Sequence, residues 1–236
     1  MKRYKRKFDP YYHQLGRFNE AVVHVDKYLD ILKDELKQLK RTLIFFKGDA
    51  LQLFNEKFYT YKIQFVIIDS MKVNKGVVEG VINKDNIIIY LTDDFYFYTS
   101  KDNLDVFNQF EKELIILLSH ELVHRGQYYV RAGDKINFYN FEGSSIDNDI
   151  DIEYMKNPQE IMAYAYMYIE SLRYSGYSNN NIMEMLKSGN FARSQSLHIT
   201  FYINEMNKHN RNAFLKFRKY IVQYINDPVR YDLRLV

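Results

Sequence analysis

The sequence contains no cysteine. That excludes a disulfide scaffold, a thiolate metal site and a cysteine nucleophile. Long apolar runs are also missing. The longest, at 161–169, falls far short of the roughly 18 residues that a membrane span needs. Nor does one sign of charge dominate: 33 basic and 30 acidic side chains leave a net +3. So small an excess gives no argument for nucleic acid or an anionic membrane as partner. An export signal is not apparent either. Five Lys/Arg among residues 1–7 are followed by Phe8, Asp9, Pro10, Tyr11, Tyr12 and His13, not by an apolar stretch. The expectation is a soluble, cytoplasmic protein.

What the chain does have is ample material for a core. Of its 236 residues 47% are apolar and 17% aromatic, with 22 tyrosines, which argues against disorder. A chain of this length buries roughly 70–75% of its unfolded surface and forms one domain.

Residues 1–13 read as a basic arm, either a solvated terminus or a docking tail for an acidic partner. Leu15, Phe18, Val22, Val25, Leu29, Leu32, Leu36, Leu39, Leu43 and Phe46 then alternate spacings of three and four. This predicts a long amphipathic helix over 14–47. Its stripe has two uses, internal packing or a seam for a partner helix or an oligomer. Gly48 and Asp49 mark the expected helix end. Strands are expected at 62–69, 77–83 and 86–92, with Lys84 and Asp85 as a tight turn between the last two. Residues 93–108 read as a loop carrying Phe95, Tyr96, Phe97 and Tyr98. Helices follow at 107–129, 157–174, 180–187 and 201–226, with an acid-rich connection over 131–156. The pattern is α+β with a small sheet.

The informative motif is His120-Glu121-Leu122-Val123-His124, of the form H-E-x-x-H. Residues four apart lie on one helix face, so both imidazoles can reach one cation. Glu121 falls about 100° around the helix, beside such a cation, where its carboxylate can take a proton from water. Ile115, Leu118 and Leu122 form an apolar opposite face that anchors the helix.

A catalytic zinc needs a third ligand and an open fourth position. The best-placed carboxylate is Glu160, in the first turn of the helix that opens at Asn157 and Pro158. It has a second reading, as the N3 member of a capping box with Asn157. Glu142, Asp147, Asp149, Asp151 and Glu153 are rival carboxylates, better read as a solvated acidic loop. They lack the glycine that a calcium loop needs where Ile152 stands. His198, Tyr164 and Tyr202 are candidate donors to a developing oxyanion, and Gln127 is a candidate neighbour of the metal.

These residues carry a resemblance. The H-E-L-V-H segment, with Asn157-Pro158-Gln159-Glu160-Ile161-Met162-Ala163-Tyr164 downstream, resembles the gluzincin type of zinc metallopeptidase. It is most similar to the small zincin-like proteins of bacteriophages and bacteria. The resemblance covers about 62–175. It implies a zincin-like fold: a small sheet whose edge strand receives substrate, an active-site helix and a helix bearing the glutamate. The whole chain is then expected to be α+β with a small, mostly antiparallel sheet, the active-site helix, and, outside the resemblance, the long N-terminal helix and C-terminal helices over 176–236. The resemblance implies one zinc per chain, held by His120, His124 and Glu160, with Glu121 as general base. It further implies a protein or peptide substrate received by an edge strand at 86–92.

Two other functions compete. One is a structural or interaction protein on the same fold, in a virion or the host cytoplasm, joined through 14–47. The other is a DNA-associated protease similar to the SprT type, for which residues 2–7 and the Lys216-Phe217-Arg218-Lys219 cluster supply basic charge. The near-neutral total speaks against it.

Overall fold

The structure is a computed structural model that describes residues 28–68, 77–83, 86–131, 152–192 and 196–226. The basic arm, the stripe up to Val25, the Lys84-Asp85 turn, and the carboxylates Glu142, Asp147, Asp149 and Asp151 lie outside the described residues, as does the side chain of Gln127.

The described part of the first helix, α1, spans 28–43. Leu29, Leu32, Leu36, Leu39 and Leu43 are each at most 3% exposed and belong to the central core. Over this stretch the leucine stripe packs internally. The helix ends before Gly48, in a turn where the Phe45 and Phe46 amides donate to the Thr42 carbonyl. Asp49 opens the next helix instead of closing this one. Its carboxylate caps α2 (Ala50–Phe58) by accepting from the Leu51 N–H at 2.9 Å.

Phe54 and Phe58 of α2 face inward. Phe54 meets Phe65, Phe95 and Phe110 edge-on, with ring centroids 5.1–6.0 Å apart. Phe95 comes from a segment expected to be loop. Most of that segment is helical: α3 (Asp94–Thr99) followed by a 3-10 turn at Lys101–Asn103. The four-residue spacing buries Phe95 and Thr99 together and leaves Tyr96 and Phe97 outside.

The sheet has three strands, β1 (Ile63–Ile67), β2 (Val77–Asn83) and β3 (Asn86–Leu91), in the order β1-β3-β2. Strand β3 runs parallel to β1 and antiparallel to β2. Two expectations are corrected. The sheet is mixed, not mostly antiparallel, and the 86–92 strand is its centre, not its edge. Ile87, Ile89 and Leu91 point into the core from that central strand and are fully buried. The β2–β3 register closes at Asn83 opposite Asn86, as a two-residue connection requires.

The two edges differ. Along the outside of β1, the Asn55 side chain accepts from the Phe65 N–H at 2.7 Å and donates to the Phe65 carbonyl at 3.0 Å. The amide of Asn55 thus stands in for a neighbouring strand. Among the described residues, no strand pairs with the outside of β2.

The helices that follow are α4 (Phe107–Arg131), α5 (Ile152–Lys156), α6 (Pro158–Tyr174), α7 (Asn179–Ser188), α8 (Leu197–Asn204), α9 (Met206–His209) and α10 (Arg211–Asn226). Helix α6 lies between α4 and α10 and is buried along most of its length. The single helix expected at 201–226 is three pieces. Asn210 is extended, at φ −152° and ψ 91°, and its side chain accepts from the Ala213 N–H at 3.1 Å. An asparagine capping its own helix start breaks the run. The basic cluster on α10 is divided as well. Phe217 is fully buried, and Arg218 donates to the Leu186 carbonyl and lies over the Phe191 and Phe214 rings.

The chain is thus mixed α and β, mostly helical, with one small sheet. No described helix is long and apolar enough to cross a membrane.

Candidate metal centre

The site is built on two packed helices. Helix α4 turns Ile115, Leu118 and Leu122 into the core, each at most 2% exposed, and so fixes which face carries the histidines. Helix α6 lies against α4, with Ala163 and Ala165 fully buried.

Three of the expected ligands meet. The His120 and His124 Nε2 atoms are 3.0 Å apart. Glu160 Oε2 lies 3.4 Å from the first and 3.3 Å from the second. A tetrahedral ion bound at about 2.0–2.1 Å would hold its ligand atoms about 3.3–3.4 Å apart. The observed triangle is close to one face of that tetrahedron.

Protons alone do not satisfy this arrangement. An ionised carboxylate has no hydrogen to give, and each imidazole offers at most one at Nε2. If both imidazoles donate to Glu160, their N–H groups oppose each other across 3.0 Å. If one donates, two lone pairs face each other on another edge. A cation satisfies all three atoms at once. The donor set therefore fits a divalent metal, and two imidazoles with one carboxylate suit zinc.

The electrostatics agree. Burial holds the His120 imidazole down to about 4, assisted by the neighbouring His124 and opposed by the hydrogen bond to Glu160. It is neutral near pH 7, as a ligand must be. Burial pushes the Glu160 carboxyl up, but the charge of His124 and the hydrogen bonds of both histidines outweigh it. They hold the carboxyl well below the usual carboxylate range. The site thus combines an anionic oxygen with a neutral nitrogen.

Glu160 does not complete a capping box with Asn157. Asn157 does cap α6, accepting from the Gln159 N–H at 3.0 Å. Its own N–H, which a capping-box glutamate would accept, goes to the Tyr154 carbonyl at 3.0 Å. The Glu160 carboxylate turns toward the histidines and also accepts the Tyr154 hydroxyl at 2.6 Å. Burial first, then Tyr164 and Glu160, push the Tyr154 phenol far above its ordinary range, so it stays a donor.

Glu121 lies against β2 at Gly80. A Cβ built on Gly80 would stand 2.7 Å from the Glu121 Cδ and 2.8 Å from its Oε1. Only glycine leaves room for the carboxylate beneath the strand. Glu121 is 5% exposed.

The candidate donors fare differently. Tyr164 packs its ring on His120, with centroids 4.4 Å apart, and His198 stacks on Tyr164 at 5.1 Å. Both therefore line the site. Burial lowers the His198 pKa, against the pull of Glu160. Tyr202 is fully buried, and its hydroxyl donates to the Met155 carbonyl at 2.6 Å. It supports α5 and does not face a reacting group. Glu153 pairs with Lys156 on α5 and takes no part.

Three residues of the site escaped sequence reasoning. Tyr154 lies in the irregular acidic connection, where no periodicity marks it. Arg125 follows His124 directly. It is 5% exposed, donates to the Tyr61 carbonyl at 2.6 Å and lies 4.9 Å over the Tyr28 ring, tying α4 to α1. Gly80 did carry a signal, because a glycine inside a strand often marks a close approach.

No protein-family model, curated protein or solved structure matches the chain. The functional argument therefore rests on the chemistry of these residues.

Proposed function

We propose that this protein is a zinc-dependent metallopeptidase on a zincin-like fold. The observation that carries the reading is the donor triangle of His120, His124 and Glu160, whose three edges of 3.0–3.4 Å call for a cation. Those three side chains would hold the metal. Zinc there supplies Lewis acidity, enough to activate water near neutral pH.

The remaining chemistry belongs to the chain. Glu121 is the general base, and its carboxylate accepts the proton of the attacking water and returns it to the leaving amine. Gly80 seats that carboxylate directly under β2. An extended peptide lies along the outer side of β2, which no described strand occupies, and makes main-chain hydrogen bonds to it. The β1 edge offers no such berth at Phe65, because Asn55 occupies that residue's backbone groups. His198 serves as donor to the developing oxyanion. Of the three donors considered, it lines the site with no hydrogen-bond partner among the described residues.

The test has two parts. Elemental analysis of wild type is expected to find about one zinc per chain, largely lost in Glu160→Ala. Glu121→Gln is expected to keep its zinc and to lose about 10²–10⁴-fold in hydrolysis of an unstructured protein substrate. Wild type that takes up no zinc on reconstitution would sink the proposal. So would Glu121→Gln at full activity.

A further inference from the structure

We propose that Tyr154 is the positioning residue that makes Glu160 a metal ligand and prevents it from capping its helix. The inference rests on the zinc reading of the site.

A glutamate in the third position of a helix has a competing partner, the free N–H of the N-cap residue. In this chain Tyr154 removes that partner and supplies another. Its backbone carbonyl accepts the Asn157 N–H at 3.0 Å, so the N-cap amide has nothing left to offer Glu160. Its phenol hydroxyl donates to Glu160 Oε2 at 2.6 Å. That oxygen is the one lying 3.4 and 3.3 Å from the two histidine nitrogens. A carboxylate oxygen has lone pairs enough to accept the phenol and still ligate an ion. One residue thus acts twice on the same choice, through its main chain and through its side chain.

Tyr154 is itself held in place. The next residue, Met155, is fully buried. The Tyr154 ring lies 6.5 Å from Tyr164 and 6.4 Å from His198, both edge-on or nearly so. The hydroxyl therefore meets Glu160 from a fixed frame. Such support behind a ligand commonly governs metal affinity, because it orients the ligand before the ion arrives.

The experiment measures zinc affinity of the full chain by competition with a chromogenic chelator, so it needs no substrate. Tyr154→Phe is expected to weaken zinc binding about 10–100-fold. In a Glu160→Ala background the same change is expected to have no further effect, because the carboxylate it orients is gone. Tyr202→Phe is the control: it removes an anchor of α5 without touching Glu160, and is expected to lower the melting temperature but to leave zinc affinity nearly unchanged. Cobalt(II) in place of zinc gives a second readout, a visible spectrum altered in Tyr154→Phe and not in Tyr202→Phe.

Equal losses of affinity in Tyr154→Phe and Tyr202→Phe would return Tyr154 to a purely structural role and overturn the inference. A Tyr154→Phe protein that binds zinc like wild type would also overturn it, while leaving the metal reading intact. Wild type without zinc affinity would remove both together.

Discussion

At Gly80 the strand carries a hydrogen where every other residue type carries a carbon, and the Glu121 side chain occupies that space. A methyl group there must displace the carboxylate or the strand. Gly80→Ala is therefore expected to destabilise the protein by about 1–3 kcal/mol, the usual range for overpacking. In a Glu121→Ala background the space is vacated, and the cost should vanish or reverse, since alanine suits a strand better than glycine. Thermal melts of the four proteins in this cycle decide it, and equal costs in both backgrounds would deny the contact. At this scale the sequence was informative wherever chemistry is local. His120 and His124 sit on one helix, so their spacing alone put them together. Glu160 could be named as a candidate but not settled. Whether it ligates or caps depends on Tyr154, and nothing in the pattern around that tyrosine announces its position.

Helix α1 shows what periodicity can and cannot decide. The three-and-four spacing of its leucines predicted a helix with one apolar face, and the helix is there. The same spacing serves a coiled coil equally well, and only tertiary structure shows that Leu29 to Leu43 line the core. Leu36 is fully buried, so Leu36→Ala should lower unfolding stability by about 2–5 kcal/mol. Urea titration is the measurement. A loss of self-association with unchanged monomer stability would instead restore the seam to a partner. Strand order was less legible than strand existence. The three strands fell close to their expected places, but β1 pairs with β3 across the intervening β2, Ile63 opposite Ile87. Such pairing is fixed by which faces the helices cover, and no short window of sequence contains that information. The breaks around α9 fall where 204–212 carry a single apolar residue, Met206, and Asn210 redirects the backbone.

For the whole molecule, the His120–His124–Glu160 cluster is also a source of acid sensitivity. The metal-free fold keeps His120 neutral down to about pH 4, chiefly by burial, whereas an unfolded chain protonates it near 6.5. Between those values the unfolded state binds the extra proton, so stability falls as pH falls. Glu160 acts in the same direction further down, since its depressed pKa contributes stability that is lost on acidification. Chelator-treated protein is expected to melt at progressively lower temperature from pH 6.5 to pH 4, and His120→Asn should flatten that slope. A profile equally steep in the variant would place the sensitivity elsewhere. One further property follows from Asn55. With its amide filling the backbone positions beside Phe65, the sheet resembles a jetty with one side built over. Among the described residues the flank left open runs along β2, the strand whose Gly80 lies against Glu121.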